Sequence, residues 1–281
     1  MPYIILLRPQ QWLKNLMIWF PPFLGGALLQ PGMVMRGLLP FFSFCMASSA
    51  TYILNDIRDR DNDRHHPDKM SRPLPSGRIS TISASLLALL LVFVAAGTAW
   101  AVSGAFLLCL ALYVVLSAAY SIRLKEYALI DIFCISAGFL LRLQAGGAAF
   151  DIAITEWLFL SVFLLAVFLS TGKRLSEKNR LGVAAADHRR ALVSYPDGFL
   201  EGAMYMTGAA VLVTYTMYAI SRHSSLLVYT VPLCCFGLLR FILRVRSGGG
   251  GDPTESLLKD LPLFIVGLLW AVLVGWGVYG G

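Results

Sequence analysis

Polar and apolar positions along this chain segregate on the scale of whole helices rather than of helix faces. Apolar runs near 16–30, 37–54, 80–101, 104–120, 128–150, 156–171, 199–221, 225–243 and 258–279 are long enough, or nearly so, to cross a membrane as helices. The hydrocarbon to be crossed is about 30 Å thick. The pattern therefore predicts an all-α, polytopic membrane helical bundle of about nine transmembrane helices, built as one membrane-embedded domain over residues 1–281. The first run is the weakest. Pro21 and Pro22 interrupt it and Gly25-Gly26 follow, which predicts a kinked or partly interfacial helix and leaves eight spans as the alternative.

Between the runs, two stretches are long, polar and rich in charge: 55–79 and 172–198. Other connections are short, apart from Ser247-Gly248-Gly249-Gly250-Gly251-Asp252-Pro253, which reads as a flexible tether before the last run. Composition agrees with the pattern, at 57% hydrophobic and 14% charged residues with mean hydropathy +0.70. Placing the N-terminus in the cytoplasm puts 20 of the 23 Lys and Arg inside, with only Arg36 and Arg222 outside and Arg142 within a run. The positive-inside rule supports that orientation, so both long loops are expected on the cytoplasmic face of the inner membrane, capping a polar cavity. The formal charge of +7 then lies where it suits anionic headgroups and phosphorylated substrates, and nucleic acid is not expected as a partner. Residues 1–8 lack the basic start and cleavage site of a signal peptide. Cys45, Cys109, Cys134, Cys234 and Cys235 sit in apolar runs without metal-type spacing and read as packing residues.

The densest chemistry is in the first loop, Asn55-Asp56-Ile57-Arg58-Asp59-Arg60-Asp61-Asn62-Asp63. If the preceding helix continues through it, Asp56, Asp59 and Asp63 fall within about 60° on one face, whereas Asp61 projects about 140° away. Three carboxylates with Asn55 offering a neutral oxygen suit Mg²⁺, which characteristically bridges carboxylates to substrate phosphates. The same loop supplies Arg58, Arg60, Arg64, Lys69, Arg72 and Arg78 for the outer phosphate oxygens. A solvated loop whose acids and bases pair with one another is the competing reading. His65 and His66 are left out of the metal set.

Asn55-Asp56-x-x-Asp59-x-x-x-Asp63, followed by Asp68-Lys69-x-x-Arg72-Pro73-Leu74-Pro75-Ser76-Gly77, resembles the first aspartate-rich motif of the UbiA superfamily of intramembrane prenyltransferases. The resemblance implies a helical bundle open to cytoplasm and membrane, with Mg²⁺ and a diphosphate at this motif. Arg8-Pro9-x-Gln11-Trp12-x-Lys14-Asn15, Tyr120-Ser121-x-x-Leu124-Lys125, Asp131, Gly138-Phe139-x-x-Arg142 and Gly172-Lys173-Arg174 together look like the decaprenyl-phosphate phosphoribosyltransferase branch. That branch implies phosphoribosyl diphosphate as donor and a polyprenyl phosphate as acceptor, with cell-wall arabinose precursors downstream.

On this resemblance Asp56, Asp59 and Asp63 are the expected catalytic residues, and with Asn55 the metal ligands. Lys14, Asn55, Arg58, Arg72, Tyr120, Lys125, Asp131, Arg142, Lys173, Arg174 and Glu177 are expected to bind substrate. The second loop opens Thr171-Gly172-Lys173-Arg174-Leu175-Ser176-Glu177-Lys178, basic where aromatic prenyltransferases of the superfamily carry a second aspartate-rich motif. Lys and Arg there suit two phosphorylated substrates. Arg142, within an apolar run, reads equally as a cavity anchor or as a structural pair. A prenyl transfer to an aromatic acceptor is the alternative function, and a cation-binding transporter a distant third. The apolar outer faces are equally compatible with lipid and with a homo-oligomer.

Overall fold

The structure, a computed structural model, describes residues 2–64, 70–181 and 190–280. His65, His66, Asp68 and Lys69 of the first loop, and 182–189 of the second, lie outside the described residues. Eight helices among the described residues are long and apolar enough to cross a membrane. They are α1 (Met33–Arg58), α2 (Thr81–Val102), α3 (Gly104–Ile122), α4 (Ile130–Phe150), α5 (Glu156–Leu181), α6 (Phe199–Ser221), α7 (Thr230–Arg246) and α8 (Leu261–Tyr279). A one-turn helix, Ser225–Val228, precedes α7 and completes its span. Among the described residues the regular structure is entirely helical.

The run at 16–30 does not form one long α-helix. It is a 3-10 helix over Pro9–Trp19 followed by the short helix Phe20–Leu24, and it runs back along α1, from Arg8 beside Asp56 through Trp12 beside Ser49 to Trp19 beside Gly37. Tandem prolines withhold two backbone donors, and Gly26 turns the chain at φ +76° just beyond. The second difference is at α5. Its helix runs on to Leu181, so Lys173, Arg174, Glu177 and Lys178 stand on helical turns rather than on a loop.

Two compact units divide the chain. The first comprises residues 1–22, 28–125 and 141–153; the second comprises 23–27, 126–140 and 154–281. In the first unit α1 is the most enclosed helix, with 67% of its apolar window buried against 22% for α2 and for α3. That difference makes α1 the centre and α2 and α3 the cover. Phe44 packs on Phe106 and Tyr113 with ring centroids 5.6 and 5.5 Å apart. Ser103 joins the two covering helices, ending α2 and capping α3 by accepting a bond from the Phe106 N–H at 3.1 Å. Close packing reaches the backbone at Gly146, where a Cβ would stand 2.4 Å from the Ile18 carbonyl oxygen.

In the second unit α5 takes the central place, with 61% of its window buried against 6% for α8. Its partner is α6, and Phe168 meets Phe241 of α7 at 5.4 Å. Asp260 starts α8, accepting from the Leu263 N–H at 3.1 Å while holding Arg240 at 3.0 Å. The carboxylate thus offsets both an orphan helix donor and a cation.

Candidate active site

The carboxylate cluster of the first unit is built on the end of α1. Asp56 lies in its last turn, Asp59 closes it, and Asp63 sits in the short helix Arg60–Arg64. Asp59 takes φ −91° and ψ 2°, a local break. The i to i−4 pattern nevertheless persists, with Asp59 N bonded to Asn55 O at 2.9 Å and Asp63 N to Asp59 O at 2.8 Å. Helical phase is therefore kept across the break. Asp56 and Asp63 are 2% and 3% exposed, whereas the Asp61 side chain is 86% exposed and meets Arg64 at 3.6 Å.

Each aspartate of the face meets a cation of the same unit. Arg8 donates to Asp56 Oδ1 at 2.5 Å, and Lys125 to Asp59 Oδ1 at 2.5 Å. Arg72 Nη1 lies between two carboxylates, 2.9 Å from Asp63 Oδ2 and 3.5 Å from Asp56 Oδ1. Three acids face three bases. Among the described residues no three His, Cys, Asp or Glu side chains stand close enough to hold a metal ion as arranged, each of these aspartates being turned toward a cation.

The segment after the cluster explains how Arg72 is placed. Pro73, Leu74 and Pro75 are buried, Gly77 turns at φ +74°, and Ile79 N returns to Pro73 O at 3.1 Å. Ser80 then caps α2 through the Ser83 N–H. Arg72 is thus presented by a packed turn. Arg58 is exposed, and Asn55, Lys14 and Tyr120 are half-buried.

A second polar group lies within the same unit. Arg142 is 5% exposed; its Nε donates to Asn15 Oδ1 at 2.8 Å and its Nη2 to the Tyr113 hydroxyl at 2.9 Å. The guanidinium also stacks 4.4 Å from the Tyr113 ring centroid. Asn15 passes the network on to Ser48 Oγ at 3.2 Å.

In the second unit Asp131, Arg174 and Glu177 are brought together. Arg174, 1% exposed, donates from Nε to Asp131 Oδ2 at 2.5 Å and from Nη1 to Glu177 Oε2 at 2.7 Å. Tyr195 donates to Asp131 Oδ1 at 2.7 Å and accepts from the Leu129 N–H at 2.7 Å. Burial pushes the Tyr195 phenol well above its ordinary value, with the Asp131 carboxylate adding to the effect, so the hydroxyl keeps the proton it donates. Lys173, next to Arg174, donates to Asp252 Oδ2 at 3.1 Å and stays partly open to solvent.

Sequence reasoning assigns no site role to Arg8, Asn15, Tyr113, Tyr195 or Asp252. Arg8 and Asn15 open and close the motif Arg8-Pro9-x-Gln11-Trp12-x-Lys14-Asn15, and Arg8 stands directly before Pro9. There it adopts the left-handed conformation, φ 53° and ψ 59°, which is uncommon outside glycine. Tyr113, Tyr195 and Asp252 are ordinary residues whose role comes only from a distant partner.

Comparison with known proteins places the chain in a family. The model of the UbiA prenyltransferase family matches residues 19–268. The decaprenyl-phosphate phosphoribosyltransferase of Mycolicibacterium smegmatis is 32% identical over 97% of this chain and 91% of its own length. That of Corynebacterium glutamicum is 32% identical over 97% of this chain and 85% of its own. Among solved structures, a UbiA homologue from Archaeoglobus fulgidus bound to GPP and Mg²⁺ superposes with TM-score 0.76 over all of both chains at 21% identity, which speaks for the fold. With eight long apolar helices among the described residues, an aspartate face and these relatives, the chain belongs to the UbiA prenyltransferase family and is a multi-pass membrane enzyme.

Proposed function

We propose that the protein transfers a 5-phosphoribosyl group from phosphoribosyl diphosphate to a polyprenyl phosphate of decaprenyl type, releasing diphosphate. Relatives of that name, alike over nearly the whole chain, support the reading. The observation that carries its diphosphate chemistry is the face of Asp56, Asp59 and Asp63 with Arg8, Arg72 and Lys125 already seated on it, while the group transferred follows the relatives. Such a face can take a diphosphate and a cation together.

The donor set suits a hard divalent ion. Asp56, Asp59, Asp63 and Asn55 offer only oxygens, and Arg72 bridging two of the carboxylates marks a place where positive charge is favoured. Asp56, Asp59 and Asp63, with Asn55, would hold Mg²⁺, which when bound supplies charge neutralisation for the departing diphosphate. Arg8, Arg72 and Lys125 can then turn from carboxylate to phosphate oxygens, so cationic contacts are exchanged rather than lost.

In the reaction an oxygen of the lipid phosphate attacks C1 of the ribose as the bond from C1 to the diphosphate oxygen breaks. The attacking phosphate is already anionic at neutral pH. The protein's task is to position two anions and offset their repulsion, so no covalent nucleophile or strong base is needed. Lys173 on α5 is proposed to hold a phosphate, with Lys14, Arg58 and Tyr120 also contacting substrate. Asp131, Arg174 and Glu177, expected from sequence to bind substrate, are proposed instead to fix, with Tyr195, the turns of α5 that carry Lys173, since they pair with one another in the interior. Arg142 anchors the polar interior of the first unit beside Asn15 and Tyr113.

The positive-inside distribution supports a cytoplasmic N-terminus and phosphate chemistry on the cytoplasmic side of the inner membrane. Purified protein in Mg²⁺ should release diphosphate only when phosphoribosyl diphosphate and a polyprenyl phosphate are both present. Diphosphate release from geranyl diphosphate with an aromatic acid, and none from the first pair, would replace the reading with aromatic prenyl transfer.

A further inference from the structure

The glycine-rich segment before α8 reads in sequence as a passive tether, yet its second half is packed and paired. Gly249 N bonds back to Arg244 O at 2.9 Å, closing the end of α7. Gly251 is buried against the backbone of α5. A Cβ there would stand 2.6 Å from the Gly172 carbonyl oxygen and 2.7 Å from Lys173 Cα, so glycine alone allows this approach. Gly172 is gripped from another side, since a Cβ on it would meet Phe241 of α7 at 2.5 Å.

The next residue turns this contact into chemistry. Asp252 divides its carboxylate: Oδ1 accepts from Thr254 N and Glu255 N at 3.1 and 3.2 Å, capping the helix Pro253–Lys259. Oδ2 accepts from Lys173 Nζ at 3.1 Å. The cap fixes the carboxylate and the carboxylate fixes the ammonium. A lysine has three donors, so one held by Asp252 leaves others for a phosphate oxygen. Ordering the flexible stem beforehand removes part of the entropy that binding would otherwise cost.

We propose that Gly251-Asp252 is a positioning strap for Lys173, setting the place from which its ammonium meets a substrate phosphate. The inference rests on the phosphate-binding reading of Lys173 given above. It assigns Asp252 as a positioning residue that touches no substrate and acts through Lys173.

Steady-state kinetics of K173A, D252N, the double variant and G251A, with each substrate varied in turn, test it. K173A should raise KM for one substrate on the order of tenfold, the scale of a lost charged hydrogen bond. D252N should raise the same KM about threefold, the scale of a partly exposed ion pair, with a smaller fall in kcat. Asparagine is as good a helix cap as aspartate, so D252N tests the charge with the cap retained. In the K173A background D252N should add nothing. G251A should raise the same KM. Should it fail to fold, D252N and the double variant decide alone.

An unchanged KM in D252N, or its full factor reappearing in the absence of Lys173, overturns the strap while leaving Lys173 in place. K173A with both KM values and kcat at wild-type levels removes Lys173 from the site, and the strap with it.

Discussion

Asp56 and Asp61 stand five positions apart on one short acidic run and face opposite surroundings, one buried among cations and the other in solvent. Helical phase alone separates them, and phase is legible in the spacing of the aspartates because the i to i−4 pattern survives the break at Asp59. Their substitutions should diverge accordingly. Asp63→Asn should cut diphosphate release on the order of 100-fold, the scale of losing one electrostatic contact in a transition state. Asp61→Asn should stay within about twofold, as exposed positions usually do. Equal losses in the two variants, measured at saturating Mg²⁺, would remove the phase assignment. What spacing could not supply was the partner of each acid. Arg8 lies 48 positions from Asp56, and only the fold brings them together. Arg174 makes a different case, as a buried cation shared by Asp131 and Glu177. Arg174→Ala strands the Asp131 carboxylate in the interior and should destabilise the protein by about 3–5 kcal/mol, seen as a large drop in the detergent unfolding midpoint.

Elements were legible where hydrophobic length decided them and less so where local chemistry did. The apolar run at 199–221 coincides with the α6 helix Phe199–Ser221, which starts just after Gly198 turns the chain at φ +78°. At α5, charge beginning at Lys173 reads as a loop, although the helix continues to Leu181. A helix leaving hydrocarbon has no need to end when its side chains become polar. The tether before α8 misled in the other direction, for repeated glycine signals flexibility in sequence and permits close packing in the fold. Gly146 is a similar point of contact, and Gly146→Ala should lower stability by about 1–3 kcal/mol because its Cβ meets the Ile18 backbone rather than a movable side chain. The start of α8 carries a pH dependence. Hydrogen bonding from Arg240 holds the Asp260 carboxyl below its usual value, so its stabilisation is full above the unfolded carboxylate pKa of about 3.9 and fades as pH falls below it. Asp260→Asn keeps a capping oxygen and loses the charge. Its unfolding midpoint should fall below wild type at pH 7 and converge with it under acid, and a gap independent of pH would show that the carboxylate contributes no charge effect.

At the scale of the molecule, two compact units each close around one enclosed helix, α1 and α5; the first carries the aspartate face and the Arg142 network, the second the Asp131–Arg174 group. The membrane class and the aspartate face were written in composition and spacing. The family followed from motifs and was then met by the match over residues 19–268. The group transferred is harder to read, because a carboxylate face with bound cations names the leaving diphosphate and not what it leaves from. Purified protein in Mg²⁺, given phosphoribosyl diphosphate labelled in its ribose together with a polyprenyl phosphate, answers that directly after organic extraction. Label should move into the lipid phase in step with diphosphate release, and should stay in water when Asp56 is replaced by Ala. Label confined to the aqueous phase with the wild-type protein and both substrates present would contradict phosphoribosyl transfer.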